Sequence, residues 1–174
     1  MKNWNGILKI LEIQHKNPQG DILWTKKNIH NILHQDGEEF LLRAAFTGGR
    51  DSSIIPDDYY LGMDNRIIVD ATDDMDSLIG EPGSGGYDRQ AVSSTGDFSV
   101  NFENDHWSAV SPIVAFQATS GNWGPVSQLF LTDKSDNTGF LISTASLDNA
   151  ITVNNGDSVT VRIGMQLRDC DGTS

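Results

Sequence analysis

Residues 158 to 168 read Ser-Val-Thr-Val-Arg-Ile-Gly-Met-Gln-Leu-Arg and alternate without a break. Val159, Val161, Ile163, Met165 and Leu167 fall on one side, with Thr160, Arg162, Gly164, Gln166 and Arg168 on the other. Side chains repeat every two residues along a strand and every 3.6 along a helix, so five successive matches predict a strand with one apolar face. A chain carrying this segment must build a sheet and bury one side of it.

Shorter segments point the same way. Phe98, Val100 and Phe102 alternate with polar residues and predict a strand with those three side chains on one face. Pro112 to Ala118, Val126 to Leu131, Phe140 to Ser143 and Ala150 to Val153 are further strand candidates. Between them stand Gly121-Asn122, Asp136-Asn137-Thr138-Gly139 and Asn154-Asn155-Gly156-Asp157, residue types that favour tight turns. At the start of the chain, Ile7 to Ile13, the turn Asn17-Pro18-Gln19-Gly20 and Asp21 to Thr25 predict a hairpin.

Two segments change period. Phe40, Leu41, Ala44 and Ala45 share one helical face, with Asp36 placed to cap, Glu39 three residues on and Thr47-Gly48-Gly49 placed to stop. Thr72 to Ile79 predicts a second short helix, capped by Thr72 and stopped by Gly80. The expected fold is therefore mainly all-β: an antiparallel β-sandwich or jelly roll with one or two short helices and an N-terminal hairpin or arm. At 174 residues this is one domain with an appendage, residues 1–34 forming the strand or arm segment and 35–174 the sandwich.

Charge supports that division. Residues 1–34 carry five lysines against Glu12 and Asp21, a balance of +3, which leaves −15 of the net −12 for the remainder. An acidic body repels phosphate backbones, so nucleic acid is not an expected partner. No stretch approaches the ~18 apolar residues of a membrane span, and the first residues lack a secretory signal, which predicts a protein made and kept in a cytoplasm. Cys170 is the only cysteine, so neither an intrachain disulfide nor a thiolate zinc site is available.

Several constellations invite a catalytic or ligand-binding reading, and each fails on chemistry. The glycine-rich run from Gly80 to Gly86 has no lysine after it to neutralise a phosphate and reads as a flexible surface loop. His30 and His34 have the spacing of a helical metal pair but lack the adjoining glutamate of a zinc protease. His106 lies between Asp105 and Trp107, with no serine in a nucleophile elbow to complete a triad. Asp133 to Gly139 resembles half a calcium loop, but the twelfth position is Thr144 where a bidentate glutamate is required. The cluster Asp70, Asp73, Asp74 and Asp76 reads as helix capping. No catalytic residue, cofactor or metal is expected.

Some longer stretches carry a resemblance. They are Trp24, then Asn28 to Leu33, Gly37 to Phe46, Tyr59 to Arg66, Glu81-Pro82 leading to Gly85-Gly86-Tyr87-Asp88-Arg89-Gln90, Trp123 to Val126 and Gly156 to Val161. As a series they resemble small virion structural proteins of tailed bacteriophages, over most of the chain. The resemblance brings no catalytic residue. It implies a multi-copy position in a virion assembled in the host cytoplasm, and three roles follow in order. The first is a capsid decoration (cement) protein touching the major capsid protein, the second a neck, tail or fibre-attachment protein, the third a carbohydrate-binding β-sandwich for host recognition. Other copies of the chain are the expected partners, with trimers the leading expectation. The +3 segment and its tryptophans nominate Trp4, Trp24, Lys26 and Lys27 for that contact, because tryptophan anchors interfaces and lysine can meet an acidic neighbour.

Overall fold

The computed structural model describes residues 4–29, 31–47, 54–103 and 106–169. The alternating segment is β11 (Ser158–Asp169), and its Val159, Val161 and Ile163 side chains are fully buried, as their period requires. β11 is the spine of the first sheet. One flank pairs antiparallel with β1 (Trp4–Lys16) from Trp4 opposite Asp169 to Lys16 opposite Ser158, and β1 in turn pairs with β2 (Ile22–Ile29). The predicted N-terminal hairpin is thus part of the sheet, and it contributes Ile10, Ile13 and Ile29 to the core.

The other flank of β11 is shared. β7 (His106–Val110) pairs with residues 164–166, and β8 (Val114–Gln117) pairs with residues 158–161. Ser111 sits at the break between them. Its hydroxyl accepts from the Ile163 N–H at 3.1 Å, while its own N–H donates to the Ile163 carbonyl at 2.9 Å, so the interruption leaves Ile163 satisfied. β6 (Ser99–Glu103) pairs with β7 and forms the edge, giving the order β2-β1-β11-β7-β6 with β8 beside β11.

The second sheet has the order β3-β10-β9-β4-β5. Its members are β3 (Ile32–Leu33), β4 (Asp58–Asp64), β5 (Gln90–Ser93), β9 (Trp123–Thr132) and β10 (Leu141–Val153). Leu61, Met63, Val126, Leu129, Leu131, Ile142 and Ala145 of this sheet join Ile10, Phe116, Val159, Val161 and Ile163 of the first in one core, so the fold is an all-β sandwich. β10 merges Phe140–Ser143 and Ala150–Val153, expected as separate strands, into one. Its register against β9 shifts at three places, and the largest lets residues 147–150, with polar Asp148 and Asn149, bulge between the pairs Ser146–Gln128 and Ile151–Val126.

The helix expected from Asp36 is α1 (Gln35–Phe46), but Asp36 does not cap it. His34 holds the cap position, its side chain makes no capping bond, and Glu39 pairs with Arg43 instead of completing a box. Backbone contacts replace the cap: the His34 N–H donates to Ile142 at 3.2 Å and the Gln35 N–H to Ala71 at 2.9 Å. Asp36 and Glu38 lie in the first turn, where they oppose the positive end of the helix dipole. Ala45, expected on the buried face, is exposed, whereas Gly37 is buried there. The stop falls at Thr47, whose N–H and hydroxyl both donate to the Arg43 carbonyl; Gly48 and Gly49 lie outside the described residues.

The second predicted helix shrinks to a single 3-10 turn, Met75–Ser77, and its cap is Asp74 rather than Thr72. Asp74 and Ser77 form a reciprocal capping box, while Asp73 is drawn away to the Asp70 N–H and to Arg66. A loop braced at both ends in this way has no room for two helical turns.

A candidate assembly surface

The residues nominated for contact between copies separate onto different faces. Strand neighbours point in opposite directions. Trp24, opposite His15, turns inward and packs against the core. Lys26 turns the same way and pairs with Asp148 of β10, linking the edge strand of the first sheet to the second sheet. Lys27 turns outward to Glu12 at 3.1 Å, and the hydrogen bond from Lys27 is the main cause that holds the Glu12 carboxyl below its ordinary value. Trp4 opens β1 opposite Asp169, and its side chain lies outside the described residues.

Several of the residues weighed for chemistry are engaged in structure. His34 is fully buried, with Nε2 2.9 Å from Thr144 Oγ1 and Nδ1 without a hydrogen-bond partner among the described residues. Burial lowers its pKa, with Asp73 and Asp36 pulling weakly the other way. His30 and Asp105 lie outside the described residues, as does the side chain of His106. Asp133 accepts from the Phe140 N–H at 2.6 Å, and Asp136 accepts from the Thr138 N–H at 2.9 Å, so both serve their own turn. Among the described residues no three His, Cys, Asp or Glu side chains are grouped for a metal ion.

The glycine-rich loop is firmer than its composition suggests. Gly85 is buried, and a Cβ there would stand 2.7 Å from the Gly121 carbonyl oxygen, so the chain approaches closely only because the residue is glycine. The loop's end is clamped by a polar cluster. Arg89 meets Glu81 side-on, with Nε 2.9 Å from Oε1 and Nη2 2.7 Å from Oε2, and it also donates to Asn137 and to the Asp136 carbonyl. Its guanidinium lies 5.1 Å from the Phe130 ring centroid. Tyr87 donates to Glu81 at 2.8 Å, accepts from the Met63 N–H at 2.7 Å and stacks on Phe116. Burial, with Glu81 beside it, drives the Tyr87 phenol far above its ordinary value, so it stays a neutral donor. Glu81, Tyr87 and Arg89 hold one another at the loop's end, but Met63, Phe116, Phe130 and Asn137, which complete the cluster, lie elsewhere in the sequence, and pattern alone did not reveal it.

A different surface stands out at the β6–β7 edge. Opposed residues on antiparallel strands share a face. Met165 faces Ala109, Ala109 faces Val100, and Trp107 faces Phe102, so all of them lie on the side of the sheet that carries Ile163 into the core. The second sheet covers that side only in part. Phe98 is still packed, edge-on to Tyr59 at 6.0 Å, but Val100 is 65% exposed, Phe102 58% and Trp107 64%. The Phe102 and Trp107 rings touch each other, with centroids 5.4 Å apart. The predicted alternation of Phe98, Val100 and Phe102 is thus realised, while most of the face it creates is left uncovered. The surface is also free of formal charge: between His106 and Thr132, and again from Phe98 to Phe102, there is no Asp, Glu, Lys or Arg.

A sandwich whose core-type face runs on past its cover has the build of a structural subunit that works by contact. The family model for the Podophage GP4 fiber I protein gp80 matches residues 45–167, more than two thirds of the chain. The chain belongs to that family and is a bacteriophage virion structural protein. The match takes in β4 to β10 and all but the last two residues of β11, and leaves β1 to β3 and nearly all of α1 outside it. No curated protein and no solved structure matches the chain. Among the described residues no helix is long and apolar enough to cross a membrane.

Proposed function

We propose that this protein is a structural subunit of the fibre or tail apparatus, acting through protein contacts with copies of itself and with neighbouring neck or tail proteins. The observation that carries this reading is the family match across β4 to β11. It favours the fibre-attachment role over the capsid decoration that the sequence alone placed first. The uncovered face at Val100, Phe102 and Trp107 supports a role in assembly, because a sheet face of that composition is stable in water only at a cost and is relieved by a neighbour. Residues 1–34, with Lys27 on the outer face of the hairpin, are an additional contact region under the same reading.

Copy number is the test. Quantitative mass spectrometry of purified particles should give this chain in a small multiple of three or six copies per particle, as befits a component of the tail. A count in the hundreds would instead mark a capsid decoration protein and overturn the fibre reading.

A further inference from the structure

We infer that the β6 edge and the uncovered face beside it form a twofold contact with a second copy of this chain. This deepens the reading above by naming the surface through which copies meet. Three observations carry it.

The first is the edge itself. Among the described residues β6 pairs with β7 on one side only and ends its sheet, so one row of its backbone donors and acceptors has no strand partner there. Natural edges are usually guarded by charge, proline or a bulge. The span Ser99-Val100-Asn101-Phe102 has neither charge nor proline, and its register with β7 runs from Ser99 to Glu103 without a shift. An edge left open in this manner is suited to strand addition.

The second is the side chains. Antiparallel pairing of β6 with the same strand of another copy, with Asn101 on the twofold axis, sets Val100 opposite the partner's Phe102 and the reverse. Trp107, Phe102 and Val100 of one copy then run into Val100, Phe102 and Trp107 of the other as one apolar strip. Aromatic side chains bury ~150–250 Å² each, so at the exposures observed the three residues offer on the order of 300 Å² per copy. A standard interface takes about 800 Å² from each partner. The strip alone falls short of that, and the paired strand backbones and their flanks add to it.

The third is charge, and it selects the occupant. A cationic partner would be drawn to the chain outside this ribbon, which carries all of its −12. Two identical acidic copies repel each other over most of their surfaces. The ribbon formed by residues 98–102 and 106–110 is where they can approach without opposing formal charges. An isologous contact at that ribbon is the arrangement a like-charged neighbour can adopt.

Cysteine crosslinking tests the contact in the full-length chain. In a Cys170→Ser background, Asn101→Cys should oxidise to a disulfide dimer, because the two positions meet on the axis. Gly83→Cys, at an exposed loop position outside β6 and β7, should remain mostly monomeric under the same conditions. Adding Phe102→Asp and Trp107→Ser to the Asn101→Cys chain should abolish the dimer while far-UV circular dichroism stays unchanged. Dimer formation by Asn101→Cys no faster than by Gly83→Cys overturns the proposal, as does a dimer that survives the double substitution. Particle copy number is independent of these results. A fibre-like count with no crosslink removes only this contact, and a crosslink with hundreds of copies removes only the fibre assignment.

Discussion

Replacing Gly37 with alanine sets two physical effects against each other with opposite sign. In a helix interior alanine is intrinsically better than glycine by about 1 kcal/mol, and Gly37 is the third residue of α1. On propensity alone the substitution stabilises. The packing says otherwise. A Cβ on Gly37 would lie 2.1 Å from the Ile142 carbonyl oxygen and 2.9 Å from its carbonyl carbon, against the 3.4 Å at which ordinary contact begins. Those are backbone atoms of β10, so no rotamer change relieves the clash, and the helix must retreat by more than an ångström. That retreat pulls Phe40 from its place against Tyr59 and Phe140, and stretches the two hydrogen bonds at His34 and Gln35 that start the helix. Burying a Phe is worth ~1.5–3 kcal/mol, and each hydrogen bond about 1 kcal/mol net. Partial loss of all three exceeds the propensity gain, for a net destabilisation of ~2 kcal/mol. For a chain of this size that lowers Tm by roughly 4–8 °C. Urea and thermal unfolding followed by circular dichroism measure it. Gly83→Ala, where an added Cβ meets nothing within 4 Å, is the control and should be close to neutral. A Gly37→Ala chain as stable as the wild type would refute the account of how α1 seats on the sheet.

Other expectations are more briefly stated. Ile163→Asp places a carboxylate in the fully buried spine between the sheets and should abolish folding, seen as insoluble expression or an unfolded spectrum. Since burial depresses the pKa of His34, the unfolded chain binds the proton more readily; its stabilising contribution is complete above pH ~6.5 and declines as pH falls below that toward the folded value. Urea midpoints from pH 7.5 to 5 should therefore drop less steeply in His34→Gln than in the wild type, and equal slopes would remove His34 from the account. Arg89→Lys keeps the charge but loses the side-on grip on Glu81 together with the reach to Asn137; a loss of ~1–2 kcal/mol is expected in denaturant titration. Tyr87→Phe should cost a similar ~1–2 kcal/mol by leaving the Met63 N–H without its acceptor.

How much of this was readable from the sequence depends on the range of the forces involved. The alternation of β11 is local, and it identified both the strand and its buried side. The alternation at Phe98, Val100 and Phe102 identified a strand equally well, but not whether its apolar face was covered, since that depends on where a different sheet ends. β4 went unread: Tyr59-Tyr60-Leu61-Gly62-Met63 has little period because Leu61, Gly62 and Met63 are all buried in succession, with the Phe130 ring lying against Gly62. The cap of α1 was misplaced for a related reason. The sequence offers Asp36 as a side-chain cap, while in the fold Ile142 and Ala71, distant in the chain, supply the hydrogen-bond acceptors. The clamp around Arg89 joins residues up to 48 positions apart, and no spacing rule reaches that far.

The pairing of β1 with β11 has a mechanical consequence. Trp4 stands opposite Asp169, so both strands leave the sheet at the same end. Tension applied to the chain through residues before Trp4 and after Asp169 would load that pair in peeling rather than shear, breaking its hydrogen bonds one rung at a time from the open end. A subunit held by both ends of its chain would therefore unzip at low force, whereas one gripped by its broad faces would pass the load across many bonds at once. In an appendage exposed to drag, durable anchorage comes from the faces and edges of the sandwich, with the chain ends kept free of strain.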